Sequence, residues 1–169
     1  MEKYIWLFPI LFIFHDMEEI IGYGTWLRNN KEMLRNRFPS LSKMKIFDVY
    51  TTEGMALAVF EEFILCIIFC VISILSKWYA LWLGAFIAYT IHLVIHIVQS
   101  IIIRKYIPAL ATSIIALPLS IYFISESMAL LEYTSGYIIL FSTIGIAVVA
   151  INLKIAHILM HKYTEWITR

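Results

Sequence analysis

Apolar runs of about 20 residues follow one another along almost the whole chain, and each is long enough to cross about 30 Å of hydrocarbon as a helix. They cover residues 4–23, 53–76, 78–103, 107–125 and 136–156. This pattern predicts an all-α fold: a single membrane domain over residues 1–169, built as an integral-membrane bundle of five transmembrane helices. Composition identifies the solvent. The chain is 62% hydrophobic and 15% charged, whereas a soluble domain is about 45–50% apolar and about 25% charged. The opening, Lys3 followed by an apolar run, has the outline of a signal peptide. It leads into His15-Asp16-Met17-Glu18-Glu19 rather than a small-residue cleavage site, so it is expected to stay as the first span. Pro9 is tolerable near the start of that span, and Pro118 predicts a kink in the fourth. Cys66 and Cys70 share one helix face, which suits an interface rather than a disulfide.

The connections are unequal. The long one, residues 24–52, is basic and partly amphipathic. Trp26, Leu27, Met33, Leu34 and Phe38 recur near helical spacing, with Arg28, Lys31, Arg35 and Arg37 between them. Two readings stay open: a short helix lying on the membrane surface and stopped at Pro39-Ser40, or a solvated basic loop that only fixes topology. The cations fix an expected orientation. One side would hold Arg28, Lys31, Arg35, Arg37, Lys43, Lys45, Arg104, Lys105, Lys154, Lys162 and Arg169, and the other only Lys3 and Lys77. The positive-inside bias then places the long loop and the C-terminus in the cytoplasm and the N-terminus outside. A prokaryotic plasma membrane is the expected setting. A net charge of +1 gives no bulk electrostatic case for nucleic acid, so membrane lipids are the expected surroundings.

Ionisable groups inside spans are costly, by about 2.5–3.5 kcal/mol each on insertion scales. Yet the first span carries His15, Asp16, Glu18 and Glu19, the second Glu61 and Glu62, and the third His92 and His96. Depth makes them coherent. At about 1.5 Å per residue from the expected cytoplasmic end, His15 lies about 12 Å in, Glu61 and Glu62 about 12–14 Å, and His92 and His96 about 10–17 Å. Consecutive spans that alternate in direction thus place these groups in one layer. His15 shares a helix face with Glu18 and Glu19, and His92 with His96, while Glu61 and Glu62 point about 100° apart.

Three kinds of site fit such a layer. The first is a metal centre, with His15, Glu18, Glu62, His92 and His96 as ligands to one or two ions of zinc, iron or manganese, and Glu19 and Glu61 left as catalytic acid/base groups. The second is a metal-free acid/base site, which suits an isomerase-type enzyme. The third is a structural or ion-conducting cluster, as in a small proton- or ion-coupled transporter. The sequence favours a metal-dependent membrane enzyme taking a lipidic or apolar substrate sideways from the bilayer, and leaves hydrolysis and oxidation equally open. Five spans without an internal repeat are few for a transporter, although assembly into a homo-oligomer would make up the number. His157 and His161, beside Lys162, fit interfacial positions, and Asn152 lies deep enough to hydrogen-bond across helices.

His15-Asp16-Met17-Glu18-Glu19 reads H-x-x-E-E at the end of a first hydrophobic span. In a small five-helix chain this resembles the HXXEE family of membrane proteins, which is defined by its motif and has no assigned function. The Glu61-Glu62 and His92/His96 pairs look like further polar positions of that family. The resemblance implies the architecture and the importance of His15, Glu18 and Glu19, and no reaction.

Overall fold

The computed structural model describes residues 1–39 and 50–168. Lys43, Lys45, Arg169 and the Ser40 half of the proposed stop signal lie outside them. The described chain is helical with no strand: α1 (Glu2–Ile5), α2 (Leu7–Arg37), α3 (Thr52–Ser76), α4 (Tyr79–Ile103), α5 (Leu110–Leu131) and α6 (Ser135–Ile167). Four of these, α3 to α6, are long and apolar enough to cross a membrane. α2 is long enough too, but Asp16, Glu18 and Glu19 interrupt its apolar run.

α3 packs on α2, α4 and α6, while α5 packs on α2 and α4. α2 and α4 face each other across an interior filled by side chains. Phe8 meets Phe86 and Tyr89 at ring-centroid distances of 5.3 and 5.8 Å, and Phe12 meets Tyr89 at 6.1 Å. In lipid such contacts hold helices by packing and hydrogen bonding rather than by exclusion of water.

Pro9 determines how the entry to α2 is built. It sits in the first turn, where N–H groups lack helical partners anyway. It offers no donor to the carbonyl of Ile5, four residues back, and the helix is broken at Trp6. The freed carbonyl is taken up from the other helices: the Trp82 indole donates to it at 3.0 Å and the Cys70 thiol at 3.4 Å. Pro118, by contrast, lies within an unbroken α5. Cys66 and Cys70 are buried free thiols on the face of α3 turned to the core.

The first helix differs from expectation in where it ends. α2 runs without interruption through the first half of the basic connection to Arg37, so residues 24–37 form neither a separate surface helix nor a loop. The reason is tertiary. Arg37 donates to the last carbonyls of α4, those of Ile103 at 2.7 Å and Ile102 at 3.0 Å, where a cation also meets the negative end of the helix dipole. The Trp26 indole donates to the carbonyl of Tyr106 at 2.6 Å, and Lys105 donates to Asn30 at 2.8 Å. Leu27, Asn30 and Leu34 are buried accordingly.

Candidate metal centre

His15 and Glu19, one turn apart on α2, face His92 and His96, one turn apart on α4. Each offers one ligand atom to a common point, and these atoms lie within 4.8 Å of one another. Two ligands on opposite sides of an ion at about 2.1 Å would be about 4.2 Å apart, so small side-chain rotations close the set on one ion. His15 and Glu19 are buried, and the side chains of His96 and Glu19 are only 12% and 9% exposed.

The contacts inside the set do not resolve into ordinary hydrogen bonds. Nε2 of His96 lies 2.9 Å from Oε1 of Glu19 and 2.8 Å from Nε2 of His92. An imidazole nitrogen carries a proton or a lone pair, not both. If His96 donates to Glu19, its Nε2 has nothing to accept with from His92. If His92 donates to His96, the same lone pair faces the Glu19 oxygen. Nε2 of His15 is buried with no hydrogen-bond partner at all. Electron-rich atoms converging on one point, with too few protons to share, are what a cation would satisfy.

His15 is held for that role from behind. Its Nδ1 lies 3.0 Å from the hydroxyl of Thr112 on α5, and that hydroxyl lies 2.6 Å from Oε2 of Glu18. A hydroxyl has one hydrogen, and the short contact to a carboxylate claims it. The Thr112 oxygen must then accept from Nδ1–H of His15, which leaves the lone pair on Nε2, the atom aimed at the cluster. Metal-ligating histidines are commonly fixed in this way through the second ring nitrogen.

Glu18 therefore stands apart from the ligand set in which sequence reasoning placed it. Its carboxylate accepts from the Thr112 N–H at 2.8 Å, the Ala111 N–H at 3.4 Å and the Tyr106 hydroxyl. These N–H groups open α5, whose N-cap is Ala109, a residue with no side-chain acceptor. Glu18 supplies the missing cap from α2. It also pushes the Tyr106 hydroxyl, in the connection, up to about 12. Glu19, expected as an acid/base group, is the carboxylate among the histidines. Glu62 lines a cavity with Glu19, His92 and His96. Glu61 turns to α6, where Asn152 donates to it at 3.1 Å. Asp16, which sequence reasoning left unassigned, is buried and lines the same cavity, with Oδ2 unpartnered. His157 is exposed at the cavity's rim, and His161 pairs with Glu165 one turn on. Thr112 had no signal beyond a hydroxyl close to the depth of Glu18.

Comparison with known proteins adds one finding. A family profile described as "Protein of unknown function with HXXEE motif" matches residues 6–123, which hold His15, Glu18, Glu19, His92, His96 and Thr112. No curated protein and no solved structure matches the chain.

Proposed function

For a chain that belongs to the HXXEE family of proteins of unknown function, we propose a metal-dependent integral-membrane enzyme acting on a lipidic or apolar substrate. The observation that carries it is the convergence of His15, Glu19, His92 and His96 within 4.8 Å, deep between two helices. Three imidazoles and a carboxylate suit zinc, iron or manganese. When bound, the metal would supply Lewis-acid or redox chemistry. The chain's own residues would do the rest. Thr112 and Glu18 hold His15 in the ligating tautomer. Glu62, beside His92 on the cavity wall, is placed to move a proton to or from a bound substrate.

In this proposal α2 is a fifth span. Ile10, Phe14, Met17 and Ile21 form an exposed apolar stripe suited to lipid, while His15, Asp16 and Glu19 are turned inward. The cation bias of the sequence then places the end of α6 in the cytoplasm.

A second reading is favoured by one observation. Glu19 and His92 both lie against Nε2 of His96, at 2.9 and 2.8 Å, so a single proton on that nitrogen could pass to either neighbour without metal. Elemental analysis of detergent-purified protein separates the two. The metal reading expects close to one first-row transition metal per chain in the wild type and close to none in His92→Ala/His96→Ala. A folded wild type without metal would reject it in favour of the relay.

A further inference from the structure

α4 and α6 touch at one end of the bundle and part toward the other. Near their starts the backbones meet: a Cβ on Gly84 would strike the carbonyl of Phe141, and one on Gly145 the carbonyl of Gly84. Farther on, α6 is held by α3 instead. The hydroxyls of Thr164 and Thr51 lie 2.8 Å apart, and Gly54 is pressed against Thr164 and the carbonyl of Met160. The cavity beside Glu19 and His96, of about 320 Å³, opens where α4 and α6 part. Among its described lining residues, those exposed are Ile95 and Gln99 on α4 and His157 on α6, and none from α2 or α3 is.

That mouth lies at membrane depth. Counted back from Ile103 at about 1.5 Å per residue, Gln99 and Ile95 lie about 6 and 12 Å inside the end of α4. Both helices are long and apolar enough to cross a membrane. Ile91 and Val98 are exposed on the same face of α4 as Ile95, and Ile151, Ile155 and Ile158 are exposed on α6. Such faces lie against hydrocarbon, so the mouth opens to lipid rather than to water.

We propose that one acyl chain of a membrane lipid enters the cavity between Ile95 and His157 and lies along α3 and α6 beside the candidate centre. This rests on the reading of an enzyme for an apolar substrate, and it names the route and the kind of chain that takes it.

The walls suit that guest. Met55, Ala58, Val59, Leu153, Ala156 and Met160 make an apolar wall on α3 and α6, with Glu19 and His96 across from it. A chain lying there gains dispersion contacts and leaves no hydrogen bond behind, because it had none in the bilayer. The two methionines are flexible enough to follow its shape. Size selects one chain. A cavity of about 150 Å³ holds benzene, so about 320 Å³ takes a segment of several methylenes. A whole two-chain lipid does not fit, whereas one chain reaching in from a lipid that stays in the bilayer does.

The test is photolabelling of the wild type in nanodiscs of phosphatidylcholine that carries a diazirine along one acyl chain, with adducts mapped by mass spectrometry. Adducts are expected on Val59 and Met160, which are 3% and 5% exposed and line the cavity, as well as on the outward Ile115 of α5. Ile95→Trp, which adds bulk at the mouth, is expected to lower labelling of Val59 and Met160 at least tenfold and to leave Ile115 unchanged. Gln99→Trp fills the same mouth and serves if the first variant does not fold. Val94→Trp puts the same bulk on an exposed part of α4 away from the cavity and should change neither. Labelling of Ile115 without Val59 or Met160 in the wild type would overturn the proposal. Undiminished internal labelling in a folded mouth variant, or an equal loss in Val94→Trp, would overturn the route between α4 and α6. The probe makes no use of a metal. Internal labelling of a metal-free wild type would therefore leave this proposal standing and reject only the metal reading, and a metal-loaded protein without internal labelling would do the reverse.

Discussion

Two faces of α4 are packed on different physical principles. Toward α2 it presents His92 and His96 to other polar groups in a layer where ionisable side chains are expensive. Toward α6 it presents Gly84. There the backbones approach so closely that a Cβ on Gly84 would strike the carbonyl of Phe141, and one on Gly145 the carbonyl of Gly84. The second contact is complete in itself: small residues let the helices touch, as membrane helices commonly do. At the centre of the first, Nε2 of His15 is buried without a partner. On the metal reading proposed above, the contrast separates what assembles the bundle from what the bundle would hold.

The comparison breaks most sharply if the polar face does not behave as a unit. Removing one member of a buried charged set leaves the others unpaired and typically costs about 3–5 kcal/mol. His96→Ala and Glu19→Ala should each lower the melting temperature in detergent accordingly. Chelator should lower the wild type but add little to either variant. A wild type unchanged by chelator, with both variants still melting lower, would show independent hydrogen bonds rather than a shared ion.

The glycine face should respond differently. Gly84→Ala and Gly145→Ala put a methyl against backbone that cannot give way, an overpacking cost of about 1–3 kcal/mol. Metal content should be unchanged. If either variant lost metal while staying folded, the two faces of α4 would be one coupled system.

Thr112→Val tests the support behind the site. The shape is kept and the hydroxyl that fixes the His15 tautomer is lost. Loss of such a supporting contact costs about 10–100-fold in metal affinity. Thr112→Ser should recover most of it in a metal titration, whereas recovery by Val would reduce Thr112 to packing.

Much of this was legible in the sequence because hydrophobic length and depth are local properties. The runs that became α3 to α6 could be counted directly. The common depth of His15, His92 and His96 followed from span directions alone. Choosing between Glu18 and Glu19 did not. Adjacent helical residues point about 100° apart, and the rotation of α2 is set by packing against α3 and α5. The continuation of α2 to Arg37 was hidden for a related reason. Its partners at Ile102, Ile103, Lys105 and Tyr106 lie far along the chain, and a periodic basic segment looks alike on a membrane surface or against protein.

The smallest expected effect lies just outside the site. Ala109, the N-cap of α5, has φ 95°, a conformation that suits glycine. Ala109→Gly should stabilise the protein by about 1 kcal/mol, read as a rise in melting temperature, provided Glu18 goes on supplying the cap.

X-ray absorption spectroscopy of wild-type protein, purified without added metal, reads the centre itself. A first-row metal edge is expected, with a first shell of nitrogen and oxygen donors at about 2.0–2.2 Å and multiple-scattering features of several imidazoles. These features should weaken in His15→Ala. A metal edge with no imidazole signature, or a folded protein with no edge at all, would contradict a metal held by His15, Glu19, His92 and His96.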